Sequence, residues 1–165
     1  MKVGVGIGEK GGIGKTTISA HLSMWIAANQ KNALVVDADP QAHATRALRL
    51  NKQPGLYNLL VRPDEEDGQW KKVLRQVSPE VYGGGGNLYC VPSNVETRGI
   101  PLMMADVYML DTRLRQLAQV IDHVVIDTPP TPSLLHSAIL MAADWVIYLT
   151  ELEYNSLDSL NETMK

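Results

Sequence analysis

Cysteine is nearly absent: Cys90 stands alone, so an intramolecular disulfide, a thiolate zinc cage and a Cys-x-x-Cys redox pair are all excluded. A reducing compartment fits that usage. Phenylalanine is missing altogether, an absence with no functional reading of its own. Positive charge is not in excess either. Fifteen Lys and Arg against eighteen Asp and Glu give a formal net charge of −3, so nucleic acid would have to be held through a local patch. No run reaches the roughly 18 apolar residues of a membrane span. Asp144 interrupts the best stretch, Leu134 to Thr150, and the N-terminus lacks the continuous apolar segment of a signal peptide. A soluble cytoplasmic protein with no membrane contact is expected. The four histidines, His21, His43, His123 and His136, have no metal-like spacing and read as ordinary surface or core residues.

What remains is ordinary for a folded domain: 165 residues, 45% hydrophobic and 20% charged. That length can bury roughly two-thirds of the unfolded surface. "KVGVGI" alternates Val3, Val5 and Ile7 with glycines, which predicts a first strand with one bare face. From Lys15 the pattern changes to Ile18, Leu22, Trp25 and Ile26, one apolar face of a helix. "ALVVD" (33–37) reads as a buried strand, and Asp39 before Pro40 as the cap of a helix running to about Leu50. Short helices are expected at Leu56 to Val61 and Trp70 to Val77, followed by a flexible Gly83 to Gly86. Leu88 to Val91, "HVVID" (123–127) and "WVIYL" (145–149) are further strands. Helices are expected over Val107 to Ile121, Ser133 to Ala143 and from about Asn155. Alternating strands and helices predict an α/β fold with a mostly parallel sheet and helices on both faces.

Two glycine templates overlap in "GIGEKGGIGKTT" (6–17). Gly6, Gly8 and Gly11 match the dinucleotide fingerprint, while Lys10 to Thr17 read as a phosphate-binding loop. The first template starts a helix around Gly8 to Gly11 and sets Gly11, Gly12 and Gly14 in its opening turns, each costing up to about 1 kcal/mol. It also gives Lys15 and Thr16 no role, although Asp37 could serve as its ribose acid. The second leaves the glycines in a loop whose N–H groups converge on an anion, with Lys15 as a point charge and the Thr16 hydroxyl on Mg²⁺. The phosphate loop is therefore the expected reading.

An ordinary loop of this kind has glycine where Glu9 stands. "KGGIGKT", with its second lysine at Lys10, resembles the deviant Walker A motif of the ParA/MinD family of partitioning and positioning ATPases. "VVDADPQ" (35–41) looks like the family's second acidic motif, "HVVIDTPP" (123–130) like its Walker B strand, and "SAILMAADWVIYLTELEYNSLDSL" (137–160) like the segment after it. Residues 51–110 match only loosely. The resemblance implies a P-loop NTPase fold, with 1–165 as one ATPase domain lacking the family's C-terminal strands and helices.

It also implies roles. The backbone of Gly11, Gly12, Ile13, Gly14, Lys15, Thr16 and Thr17, together with Lys10, would bind the phosphates of ATP, and Thr16 would ligate Mg²⁺. Asp127 would reach the metal through water, Asp39 would orient the attacking water and Asp37 would support the metal shell. Lys10 would act in trans on a partner subunit's nucleotide, in the manner of an arginine finger. The implied partners are a second copy in an ATP-bound homodimer, a ParB-type activator and nonspecific DNA. Location would be cytoplasmic, on the nucleoid where DNA binding is intact. The alternatives are a dethiobiotin synthetase-like metabolic enzyme of the same fold and a nucleotide-binding regulator without useful hydrolysis. Arg46/Arg49 and Lys71/Lys72/Arg75 read as solvated faces or as a DNA or regulator contact.

Overall fold

The structure, a computed structural model, describes residues 1–8 and 10–150. Glu9 and the expected helix from Asn155 lie outside those residues. The chain runs β1 (Lys2–Ile7), α1 (Lys15–Ala28), β2 (Asn32–Asp37), α2 (His43–Ala47), α3 (Leu56–Val61), α4 (Trp70–Val73), β3 (Arg75–Gln76) and α5 (Pro79–Tyr82). There follow β4 (Asn87–Val91), a 3-10 turn (Val95–Gly99), α6 (Ile100–Met103), α7 (Met109–Arg115), β5 (His123–Asp127), α8 (Leu134–Ala142) and β6 (Trp145–Tyr148). The sheet order is β3-β4-β2-β5-β1-β6, parallel except for the short β3 edge.

Alternation along the central strands feeds two cores. Val3 and Val5, Leu34 and Val36, and Val124 and Ile126 face α3, α6, α7 and α8 through Leu59, Ile100, Leu110, Leu114 and Ile139. Ala33, Val35 and Val125, with Leu88 and Cys90, face the opposite side against Ile26 and Ala27 of α1, Ala44 of α2 and Tyr82 of α5. Both faces are covered, as a parallel sheet requires. The sheet is thus the expected mostly parallel one. Cys90 is fully buried, and that burial pushes its thiol well above its ordinary range, so it serves as a small core residue.

Three expectations are corrected. Only half of the apolar stripe of α1 faces the core: Ile26 is buried and Leu22 packs half-buried beside it, while Trp25 is 64% exposed and Ile18 is exposed as well. The helix lies on the sheet through Ser19, Ala20, Ser23 and Ala27, whose small side chains let its backbone come close. The helix expected from Asp39 begins instead at His43, because Ala42 takes a left-handed φ of 56° that ends the Asp39 turn first. The helix expected over 70–77 stops at Val73, and Arg75–Gln76 turn out to pair antiparallel with β4.

Candidate functional site

The strand register brings the site together. Gly6 of β1, Asp127 of β5 and Asp37 of β2 are aligned neighbours at the C-terminal ends of adjacent parallel strands. The chain leaving β1 becomes the glycine loop, and α1 starts at Lys15 behind it. Gly14 is the N-cap of that helix, with φ 92°, and Gly12 has φ 83°; both lie in the left-handed region that side chains disfavour. Gly8 and Gly11 precede the helix instead of opening it. This disposes of the dinucleotide template and places the first-turn N–H groups of a 14-residue helix at the loop.

The Lys15 side chain is almost fully buried, and its ammonium donates to the Gly8 and Lys10 carbonyls at 3.0 Å each. Burial lowers its pKa, against the opposing pull of the Asp127 and Asp39 charges. Asp127 has no exposed surface, and neither of its oxygens has a hydrogen-bond partner among the described residues. Burial pushes its carboxyl up to about 7, while the nearby Thr16 hydroxyl stabilises the charged form and Asp37 and Asp39 oppose it. Two orphaned, buried carboxylate oxygens beside a threonine hydroxyl are the donor set that fits a hydrated Mg²⁺. Among the described residues no three histidine, cysteine or acidic side chains converge as a direct metal cage.

Asp37 is differently placed. It is fully buried, with Oδ2 accepting from the Thr45 N–H at 2.8 Å and the Thr45 hydroxyl at 2.7 Å, and Oδ1 accepting from the Asp39 N–H at 3.2 Å. Burial raises its pKa, partly offset by those bonds. Its oxygens fasten the backbone that carries Asp39. Asp39 is half-buried; its Oδ1 accepts the Gln41 N–H at 2.8 Å, and its Oδ2 has no hydrogen-bond partner among the described residues. One oxygen therefore fixes a turn, and the other is left to meet a ligand.

A cavity of about 790 Å³ opens over these groups, lined by Gly11, Gly12, Gly14, Lys15, Thr16, Thr17 and Asp39. That volume lies in the range of small-molecule sites. Lys10 is exposed, its carbonyl held by Lys15, and it is not among the residues lining the cavity; Ile13 is half-buried within the loop. The opposite wall was not foreseen: Thr97 and Arg98 come from the turn after β4 and Pro101 from α6, while Pro129 to Thr131 and Ser133 come from the segment after β5 and Leu135 from the start of α8. The first group is positioned by a buried chain of hydrogen bonds. The Ser93 N–H donates to Thr45 Oγ1 at 3.0 Å, and the Ser93 and Thr97 hydroxyls share a bond of 2.8 Å. The turn that follows opens on Asn94, whose Oδ1 accepts the Glu96 N–H at 2.7 Å, and that capping asparagine was the one readable signal there. The second group is fixed where the Thr128 hydroxyl donates to the Gly6 carbonyl at 2.7 Å and Ser133 caps α8.

A parallel sheet with a glycine loop between its first strand and helix, a buried lysine and a carboxylate on the neighbouring strand end defines a P-loop nucleoside-triphosphate-binding domain. A family model described as an AAA domain (AAA_31) matches residues 1–165. The chain is similar to the chromosome-partitioning ATPase Soj of Thermus thermophilus, 31% identical over 156 residues that make up 92% of this chain and 55% of that protein. Among solved structures, apo McdA of Cyanothece superposes with a TM-score of 0.83 at 25% identity, covering 99% of this chain and 64% of McdA. A cobyrinic acid a,c-diamide synthase from Mycobacterium smegmatis with bound ADP and magnesium gives 0.81 at 25% identity, covering 99% and 66%. The chain belongs to the ParA/MinD family of P-loop ATPases. It spans about 60% or less of the length of the curated relatives it matches first.

Proposed function

We propose that this chain binds and hydrolyses Mg-ATP as a ParA-like dimerisation switch in DNA partitioning or cargo positioning. The observation that carries the reading is that Lys15, Thr16 and Asp39 line one cavity with the glycine loop, with the two unpartnered oxygens of Asp127 buried close to Thr16 and Lys15. In this reading the loop amides and Lys15 bind the β- and γ-phosphates, the lysine exchanging its two carbonyl partners for phosphate oxygens. Thr16 and Asp127 hold Mg²⁺, which when bound neutralises charge on the phosphate oxygens. Asp39 orients the attacking water through its unclaimed Oδ2, and Asp37 acts through Asp39, as a positioning group behind the metal shell. Lys10 acts in trans on the nucleotide of a second copy, so that hydrolysis waits for assembly. The partners are a second copy, a ParB-type activator and DNA, in the cytoplasm.

Sedimentation with ADP against a slowly hydrolysed ATP analogue, with and without DNA, tests this reading. The analogue should double the mass of the chain and ADP should not, and Lys10→Ala should abolish the doubling while nucleotide still binds. A chain that stays monomeric with the analogue, or a Lys10→Ala variant that dimerises and turns over normally, contradicts the switch.

One observation favours a second reading, a metabolic ATP-dependent enzyme of the dethiobiotin synthetase kind: the likeness to a cobyrinic acid a,c-diamide synthase is as strong as the likeness to McdA in sequence identity. Such an enzyme would turn over a small-molecule acid without DNA or a protein activator.

A further inference from the structure

Positive charge enters the cavity over the glycine loop from two sides. Among the described residues that line it, Lys15 and Arg98 are the only lysine and arginine, and Asp39 is the only acid. Lys15 belongs to the loop side and is buried, its ammonium committed to the Gly8 and Lys10 carbonyls. Arg98 comes from the turn after β4, on the opposite wall. It is exposed, and among the described residues its side chain makes no ion pair and no hydrogen bond. The acid two residues before it leaves that charge unneutralised, since the Glu96 carboxylate accepts from the Gln53 and Asn94 amides at 3.2 and 3.4 Å. Other basic groups are committed: Lys72 pairs with Glu66 at 3.0 Å and Arg62 with Glu65 at 3.7 Å.

The backbone beneath Arg98 is firmly held. Thr97 is buried, its hydroxyl shares the 2.8 Å bond with Ser93, and its N–H donates to the Asn94 carbonyl at 3.1 Å. Arg98 also stands beside the turn that Asp39 fixes. Arg98, Pro40 and Gln41 line both this cavity and an adjoining one of about 620 Å³, and Gln41 donates its N–H to Asp39 at 2.8 Å. The free cation is therefore set across the cavity from the loop amides and next to the carboxylate proposed to orient the attacking water.

A phosphate chain seated with its β-phosphate on the first turn of α1 carries its third phosphoryl group toward Asp39, and a diphosphate ends short of that wall. A guanidinium keeps its charge at any working pH and presents a planar fork of N–H donors that matches phosphate oxygens. We propose that Arg98 grips the terminal phosphoryl group of the nucleotide from the wall opposite the glycine loop and so sets the preference of the site for a triphosphate over a diphosphate. Unlike Lys10, it acts within its own chain. The assignment rests on the nucleotide-binding reading.

The test is titration calorimetry of the full chain in Mg²⁺, with a slowly hydrolysed ATP analogue and with ADP. Arg98→Ala should bind the analogue roughly 10-fold more weakly, the loss of one charge-assisted hydrogen bond, and should bind ADP as the parent does. Arg98→Lys should recover part of that loss, a point charge standing in for the fork. Arg46→Ala removes a charge from the adjoining cavity alone and should leave both affinities as they are. The ratio of the two affinities is the readout, because a loosened fold would lower both together. The proposal is overturned if Arg98→Ala binds the analogue like the parent, if it loses ADP as much as it loses the analogue, or if Arg46→Ala loses the analogue equally. In each of those cases a parent that binds the analogue leaves the nucleotide reading standing, whereas a parent that binds neither nucleotide overturns that reading and the assignment of Arg98 with it.

Discussion

The carboxylate of Asp37 is bound twice by Thr45, through the backbone N–H at 2.8 Å and the hydroxyl at 2.7 Å, and the same hydroxyl oxygen accepts the N–H of Ser93 at 3.0 Å. Thr45 therefore joins the end of β2 to the end of β4, and through Ser93 it reaches Thr97 on the far wall of the cavity. Thr45→Val keeps the shape but leaves a buried carboxylate short of one donor and a buried N–H short of its acceptor. We expect a loss of about 2–4 kcal/mol in denaturant unfolding, with most of it recovered by Thr45→Ser. An unchanged midpoint in the valine variant would show that this chain does not support the site.

Asp127 points the other way, toward a native state that carries an uncompensated charge. Its folded pKa of about 7 stands above the ordinary 3.8, so the protonated form is the one the fold favours. The metal-free, nucleotide-free protein should therefore be most stable below about pH 4 as far as this group is concerned, losing stability as pH rises to about 7, by a few kcal/mol in all. Asp127→Asn, argued from the two orphaned oxygens, should raise the melting temperature of the ligand-free protein at pH 8 and flatten that part of its pH profile. A lower melting temperature for the asparagine variant would mean that the carboxylate already has a partner.

Lys15 donates across its own loop to the Gly8 and Lys10 carbonyls. Lys15→Ala should cost at least about 100-fold in affinity for a triphosphate, the equivalent of about 3 kcal/mol in charge-assisted hydrogen bonds. Gly14→Ala leaves the charge in place and strains the cap at φ 92°, which should cost about 1–2 kcal/mol of stability. Titration calorimetry and thermal melting separate the two effects.

Much of this site was readable because its parts are local. The glycine loop, Lys15 and Thr16 sit within one short stretch, and Asp37 and Asp127 end strands whose apolar runs are short, buried and plain. The parts that escaped are of two kinds. Burial by small residues leaves no hydrophobic signal, so Ser19, Ala20, Ser23 and Ala27 were passed over for the bulkier Ile18 and Trp25, which the fold leaves exposed. Contacts made across the sheet leave no signal at all. Arg98 reaches the cavity because β4 lies beside β2 and Thr97 is tied to Ser93, and nothing in the spacing of residues 51–110 encodes that neighbourhood. Asp39 shows the opposite error, a proline after an acid suggesting a helix cap where Ala42 breaks the turn.

The central claim is that the loop of Gly11 to Thr17, with Lys15 beneath it, is a seat for a nucleoside triphosphate. Calorimetric titration of the chain with a slowly hydrolysed ATP analogue in Mg²⁺ addresses it directly. The account predicts saturable binding at one site per chain, absent in Lys15→Ala and weakened when Mg²⁺ is removed. Titration heats no larger than dilution for the unaltered, folded chain would contradict it.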